Sequence, residues 1–212
     1  MPKTTYEAKK VICPLGLEAQ KIHACPNDCI LYRGEYENLD SCPVCNACRY
    51  KISRDDLGDV DRIRIKKRVL AKVMWYFPLI QHLKRLFITK TNAKLMRWHK
   101  EERKQYNMLR HPADRSQWRK VDRTFPTFAN DARNIRFGLS TDGMNEQSSG
   151  HSTWPVTLCI YNLPPWLCMK QKFIMMPVLI SGPKQPGNDI DVYLKPLIED
   201  LLLLWKEEGV RM

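Results

Sequence analysis

The sequence has 212 residues, 43% of them hydrophobic, with six tryptophans and a formal net charge of +12. That apolar content suffices for one or two domains with a buried core, which excludes global disorder. Met1 to Lys10 lacks the basic start, apolar stretch and cleavage site of a secretory leader, and the apolar runs Phe173–Ile180 and Leu201–Trp205 are far too short to cross a bilayer.

Eight cysteines without a secretory leader read as reduced thiols of the cytosol or nucleus, so clustered ones point to a metal rather than to disulfides. The charge is uneven. Arg62 to Arg123 holds 19 Lys/Arg against 4 Asp/Glu, while the rest of the chain holds 16 against 19. A cationic surplus of this kind is the footprint of a polyanion such as DNA, because each cation laid on a phosphate releases condensed counterions. A merely solvated basic face is the alternative reading.

In chain order, the first feature is a pair of thiol pairs, Cys25-Pro26-Asn27-Asp28-Cys29 and Cys42-Pro43-Val44-Cys45, separated by twelve residues. Four thiolates on tight turns satisfy one tetrahedral zinc ion, a closed site that holds a fold and leaves no position for water. Between the pairs, Ile30-Leu31-Tyr32-Arg33 reads as a short strand turning at Gly34, as in a zinc ribbon. Four buried, unliganded cysteines are the alternative. Cys48 is a substitute ligand or an idle thiol; Cys13 and His23 are further reserves. Lys51 to Asp61 is polar and carries Gly58, as a linker does, which places a boundary near residue 50.

A basic helical pair follows. Pro78 suits a first helical turn, and Leu79, Ile80, Leu83, Leu86 and Phe87 recur at helical spacing. A second helix, capped by Thr91, is predicted through Leu95, Met96, Trp98 and His99 to about Lys104. Arg85, Lys90, Lys94, Arg97, Lys100, Arg103 and Lys104 are the candidate phosphate contacts, and Trp98 packs or stacks.

From Arg133 the period becomes two: Ile135, Phe137, Leu139 and Thr141 share one face of a strand that ends at Asp142. Strands are also predicted at Thr153–Tyr161 and Lys172–Ser181, where Pro155 and Pro177 mark ends or edges. Cys159 and Cys168 there read as small buried hydrophobes. After a break at Gly182, Pro183, Pro186 and Gly187, Asn188 or Asp189 caps a helix with the stripe Ile190, Leu194, Leu197, Ile198, Leu201 and Trp205, kinked at Pro196. Asp189 and Asp191 read as first-turn residues favoured by the helix dipole. Asp142 before Gly143 reads equally well as a turn residue. The fold class expected is α+β.

Several segments together resemble one family: Lys21-Ile22-His23-Ala24-Cys25-Pro26-Asn27-Asp28-Cys29, Trp75-Tyr76-Phe77-Pro78, Leu95-Met96-Arg97-Trp98-His99, Leu109-Arg110-His111-Pro112-Ala113-Asp114, Phe137-Gly138-Leu139-Ser140-Thr141-Asp142-Gly143-Met144-Asn145, Leu163-Pro164-Pro165-Trp166-Leu167-Cys168-Met169 and Ser181-Gly182-Pro183-Lys184-Gln185-Pro186-Gly187-Asn188-Asp189. In this order they are similar to the transposase of plant CACTA (En/Spm-type) elements. The resemblance implies a nuclear DNA-cutting and strand-joining enzyme of the RNase H-like class, with three carboxylates and two Mg²⁺ or Mn²⁺ ions acting at transposon ends. Asp142 matches the first of those carboxylates, both catalytic and a magnesium ligand.

On this reading residues 1–50 are a zinc-ribbon module, 51–132 a linker and basic helical DNA-facing segment, and 133–212 the start of an RNase H-like domain with three antiparallel strands and a helix. Family members are longer, so the chain is expected to be a fragment without the second and third acids, inactive alone. Asn145-Glu146-Gln147-Ser148 stands where the family has a longer loop, and His151 nearby reads as a packing residue. The competing expectation is a non-enzymatic, zinc-dependent DNA-binding module, or one that mediates self-association or contact with an accessory transposon protein.

Overall fold

The computed structural model describes residues 19–51, 69–104, 108–145, 152–182, 186 and 189–206. The sequence readings at Cys13, His151, Asn188, residues 52–61 and residues 146–148 lie outside them. The described chain is mixed α+β, and its strands form one seven-stranded sheet in which every pairing is antiparallel.

β1 (Gln20–Ala24) and β2 (Leu31–Tyr32) form a hairpin, and β3 (Lys72–Tyr76) is followed by α1 (Leu79–Ile88), α2 (Lys90–Leu95) and α3 (Trp98–Glu101). Next come α4 (Ser116–Thr124), α5 (Pro126–Asn130), β4 (Phe137–Thr141), β5 (Met144–Asn145) and β6 (Ser152–Ile160). α6 (Pro165–Cys168), β7 (Met175–Gly182) and α7 (Ile190–Trp205) follow in turn. The sheet order is β2-β1-β3-β7-β6-β4, with β5 also on β6. Strands from the cysteine-rich segment, the central segment and the last segment thus share one hydrogen-bonded sheet.

Alternation decides which face is covered. Val156, Leu158 and Ile160 of β6, Val178 and Ile180 of β7 and Met74 of β3 point into the main core, against Leu79 and Leu83 of α1 and Tyr193 and Leu197 of α7. A smaller second core gathers Cys25, Ile30, Tyr32 and Cys42. The main core joins helices to one sheet face; the second is built around thiols.

The strands predicted around Phe137, Thr153–Tyr161 and Lys172–Ser181 are β4, β6 and β7; the last begins only after a 3-10 turn at Gln171–Phe173. Both prolines lie inside strands rather than at their ends. Pro155 stands between Thr141↔Val156 and Met144↔Thr153, so its missing N–H falls opposite the Asp142-Gly143 break between β4 and β5. Pro177 lies beside the register shift between β6 and β7, while its carbonyl accepts from the Phe77 N–H at 2.8 Å.

The helical pair departs further from expectation. Thr89, not Thr91, caps α2, its Oγ1 accepting from the Asn92 N–H at 3.3 Å. The helix expected to reach Lys104 breaks at Met96 and Arg97, because the His99 N–H bonds the Asn162 carbonyl at 3.2 Å. Pro78 precedes α1 rather than opening it, and the Leu79 N–H is capped by the Asp200 carboxylate of α7 at 2.9 Å. On α7 the buried residues are Tyr193, Pro196 and Leu197, whereas Ile198 and Trp205 of the expected stripe are about half exposed. Trp205 packs instead on Phe125 and Phe128, each at 5.2 Å between ring centroids.

Candidate functional site

The two cysteine pairs fold alike. The Cys25 N–H bonds the Ile30 carbonyl and the Cys42 N–H bonds the Ala47 carbonyl, both at 2.9 Å. Each turn is closed by a residue at positive φ, Asp28 at 63° and Asn46 at 56°, a conformation that short polar side chains tolerate. The Sγ atoms of Cys25, Cys29, Cys42 and Cys45 all lie within 4.8 Å of one another. Tetrahedral zinc with bonds of about 2.3 Å sets its sulfurs about 3.8 Å apart, so the spacing fits the ion. The soft donor set suits zinc and excludes hard magnesium or calcium.

The reserve ligands have other places. Cys48 is exposed, pairs through its backbone with Ser41 and lies outside the group of four. His23 Nδ1 accepts from Arg49 Nε at 2.8 Å. Within the group, the Ala47 backbone N–H lowers Cys45 to about 6, while burial raises Cys29 to about 12 and pushes Cys25 up as well. A divalent cation that takes all four as thiolates must displace their protons, so its affinity falls as pH falls.

The cysteine cluster is fastened to the rest of the fold by groups that sequence reasoning missed. Asp28, between Cys25 and Cys29, pairs with Lys72 of β3 and accepts from the Tyr193 hydroxyl of α7. Lys72 is 5% exposed and lies 5.5 Å over the Tyr193 ring. Burial and the bond to Asp28 raise the Tyr193 hydroxyl far above the usual phenol range. Arg33, just after β2, reaches Glu199 of α7 at 2.6 Å.

Asp142 is exposed at the end of β4, and its Oδ1 accepts from the Gly143 N–H at 2.8 Å. Gly143 is required there: a Cβ would stand 2.6 Å from the Trp154 ring. Among the described residues no trio of His, Cys, Asp or Glu close enough to hold a metal includes Asp142. Asp189 precedes α7 without a side-chain capping bond, and Asp191 is exposed in its first turn.

The seven basic candidates divide. Arg85, Lys90 and Lys104 are exposed. Lys94 pairs with Glu102 at 2.9 Å and Arg97 with Glu101 at 2.8 Å, both on the surface. Lys100 Nζ donates to the carbonyls of Ala129 at 3.0 Å and Asn130 at 2.5 Å, which ties α3 to α5. Arg103 is mostly buried against Asp114, which also accepts from the backbone N–H of Arg110 and His111.

Behind them lies a buried polar cluster with no sequence signature of its own. Asn162, fully buried, accepts from the Arg136 N–H at 2.7 Å and donates to the Asn134 carbonyl at 2.8 Å. His111 Nδ1 accepts from the Ala113 N–H at 3.1 Å, leaving Nε2–H to face the Leu163 carbonyl at 3.1 Å. Trp98, Trp118 and His99 surround it. The two blocks Leu109–Asp114 and Leu163–Met169, which stand out in the sequence, meet here because His111 joins them.

Among the described residues no helix is long and apolar enough to cross a membrane. Residues 106–212 match the family model described as Transposase family tnp2. No curated protein and no solved structure matches the chain.

Proposed function

We propose that this chain, which belongs to the transposase family tnp2, is part of a plant CACTA (En/Spm-type) transposase and grips DNA in the nucleus on a scaffold held by structural zinc. The observation that carries the reading is the family match over residues 106–212. The cysteine pairs and the blocks at Trp75–Pro78 and Leu95–His99 extend it toward the amino terminus. The order β4, β6, β7, α7 supports an RNase H-like sheet, with Asp142 as the first of three metal-binding carboxylates. Residues 1–50 then serve as the zinc module, 51–132 as the DNA-facing segment and 133–212 as the beginning of the catalytic domain.

Mg²⁺ or Mn²⁺ would supply in-line displacement at phosphorus in such an enzyme. The described residues do not assemble a site for it, since Asp142 has no carboxylate partners gathered to it. What the chain itself supplies is grip. Arg85, Lys90 and Lys104 are exposed cations, and the surface pairs of Lys94 and Arg97 exchange readily for phosphate because exposed ion pairs are weak. Lys100 and Arg103 hold the protein together instead.

The test is to mix the zinc-loaded chain with short duplexes of element-end and scrambled sequence, with Mg²⁺ or Mn²⁺ present. Binding that weakens steeply with salt, without cutting, is expected. Cutting abolished by Asp142→Ala would make the chain an enzyme in its own right; no binding at low salt would overturn the reading.

A further inference from the structure

A cavity of about 750 Å³ opens between α4, α5, the start of β4 and the end of α7. It lies at the opposite end of β4 from Asp142. Its size is within the roughly 300–1,000 Å³ of small-ligand sites. Arg110, Arg115 and Arg136 line it together with Trp118, Tyr161 and Trp205, and no carboxylate does.

The walls are held by interactions already formed. The Arg136 guanidinium lies 4.1 Å over the Trp118 ring and 5.1 Å from the Phe128 ring, and it is paired with Asp122. That arrangement leaves Arg136 Nε buried with no hydrogen-bond partner. The Tyr161 ring is laid over Gly138, where a Cβ would fall 2.1 Å from its hydroxyl oxygen. Trp205 is about half exposed.

Aromatic walls select a flat ring, and a cationic lining that holds no carboxylate selects an anion. A nucleobase attached to its phosphate meets both conditions. Stacking on aromatic side chains is how proteins hold bases that have left the duplex.

We propose that this cavity receives one unpaired base of a DNA strand, with Arg115 at its exposed mouth meeting the adjoining phosphate. The proposal rests on the DNA-binding reading above and adds a place where the protein distinguishes a frayed or single-stranded end from a duplex.

The probes are a blunt duplex and the same duplex with a short unpaired thymidine tail that carries 5-iododeoxyuridine. The zinc-loaded full chain is expected to bind the tailed duplex about tenfold more tightly than the blunt one. Ultraviolet crosslinks should map to Trp118, Tyr161 or Trp205. Val121→Phe fills the cavity from its lining without changing charge; it should remove both the preference and the crosslink while leaving blunt-duplex affinity unchanged. Arg115→Ala, on the surface, should also reduce the preference and keeps the test open if Val121→Phe perturbs the fold. Equal affinities with crosslinks elsewhere would overturn the cavity proposal and leave DNA binding standing. Loss of binding to both probes would overturn both.

Discussion

Asp28, seated between Cys25 and Cys29, is ion-paired with the buried Lys72 of β3. Residues 44 positions apart in sequence thereby lock the cysteine cluster onto the sheet, and Tyr193 of α7 adds a third attachment. Removing one partner leaves a buried charge alone. Asp28→Asn, which keeps a side chain that tolerates the positive φ, is expected to cost about 3–5 kcal/mol. The double variant Asp28→Asn, Lys72→Met should recover most of that loss, because it removes both charges. Urea denaturation of the zinc-loaded protein measures both, and a double variant no more stable than Asp28→Asn alone would contradict the pairing.

One zinc ion per chain is expected from elemental analysis. Cys42→Ser, or chelation, should release it and destabilise the β1–β2 hairpin, since the first cysteine pair closes that hairpin and the thiols are central to the second core. Cys48→Ser should keep the zinc and the stability of the parent. Zinc lost with Cys48 rather than Cys42 would show a different ligand set.

The cysteine site was legible because its information is local: spacing and turn residues alone set four thiols close together. β4, β6 and β7 were legible for the same reason, through alternation. β1 and β3 were not, because Gln20–Ala24 and Lys72–Tyr76 are short and each is stabilised by a distant partner, with a lysine inside β3 that Asp28 makes tolerable. The break after α2 was hidden likewise, since the Asn162 carbonyl that draws the His99 N–H comes from 63 positions away in sequence. Charge counting found a basic segment, yet it could not tell Arg85, which faces solvent, from Arg103, which is spent on Asp114.

His99 should make the fold sensitive to acid. Burial first, then the Arg136 charge, holds it at about 4, below its usual 6.5, and its Nδ1 is buried without a partner. Between those values the unfolded chain binds the proton and the folded one refuses it. Stability is therefore full above pH 6.5, falls as pH drops toward 4, and changes no further from this group below that. Burial lowers His111 in the same direction. Comparing urea midpoints of parent and His99→Gln across this range separates the histidine from any loss of zinc. The variant should have the shallower slope, and parallel curves would exclude the role.

Gly143→Ala should be disruptive although it adds one methyl group. The new Cβ would meet the Trp154 ring at 2.6 Å, and Trp154 Nε1 is anchored to the Ser152 Oγ at 2.9 Å. Moving that ring costs about 1–3 kcal/mol as overpacking. The expected result is a lower unfolding midpoint and a changed near-ultraviolet circular dichroism signal. An unchanged spectrum would mean that the Trp154 ring does not lie over the Asp142-Gly143 turn.

The division among the basic residues predicts two distinct mutant classes. Each of Arg85→Ala, Lys90→Ala and Lys104→Ala should weaken duplex binding and flatten the dependence of log affinity on log salt by about 0.9 for each phosphate that is no longer neutralised. None should shift the unfolding midpoint appreciably, because all three side chains are exposed. Arg103→Ala should do the reverse. It leaves Asp114, mostly buried and accepting from the Arg110 and His111 N–H groups, without its cation, so stability falls while the salt slope is retained. Measuring slope and midpoint on the same proteins decides the matter: a reduced slope in Arg103→Ala at parental stability would move that arginine from the scaffold to the DNA.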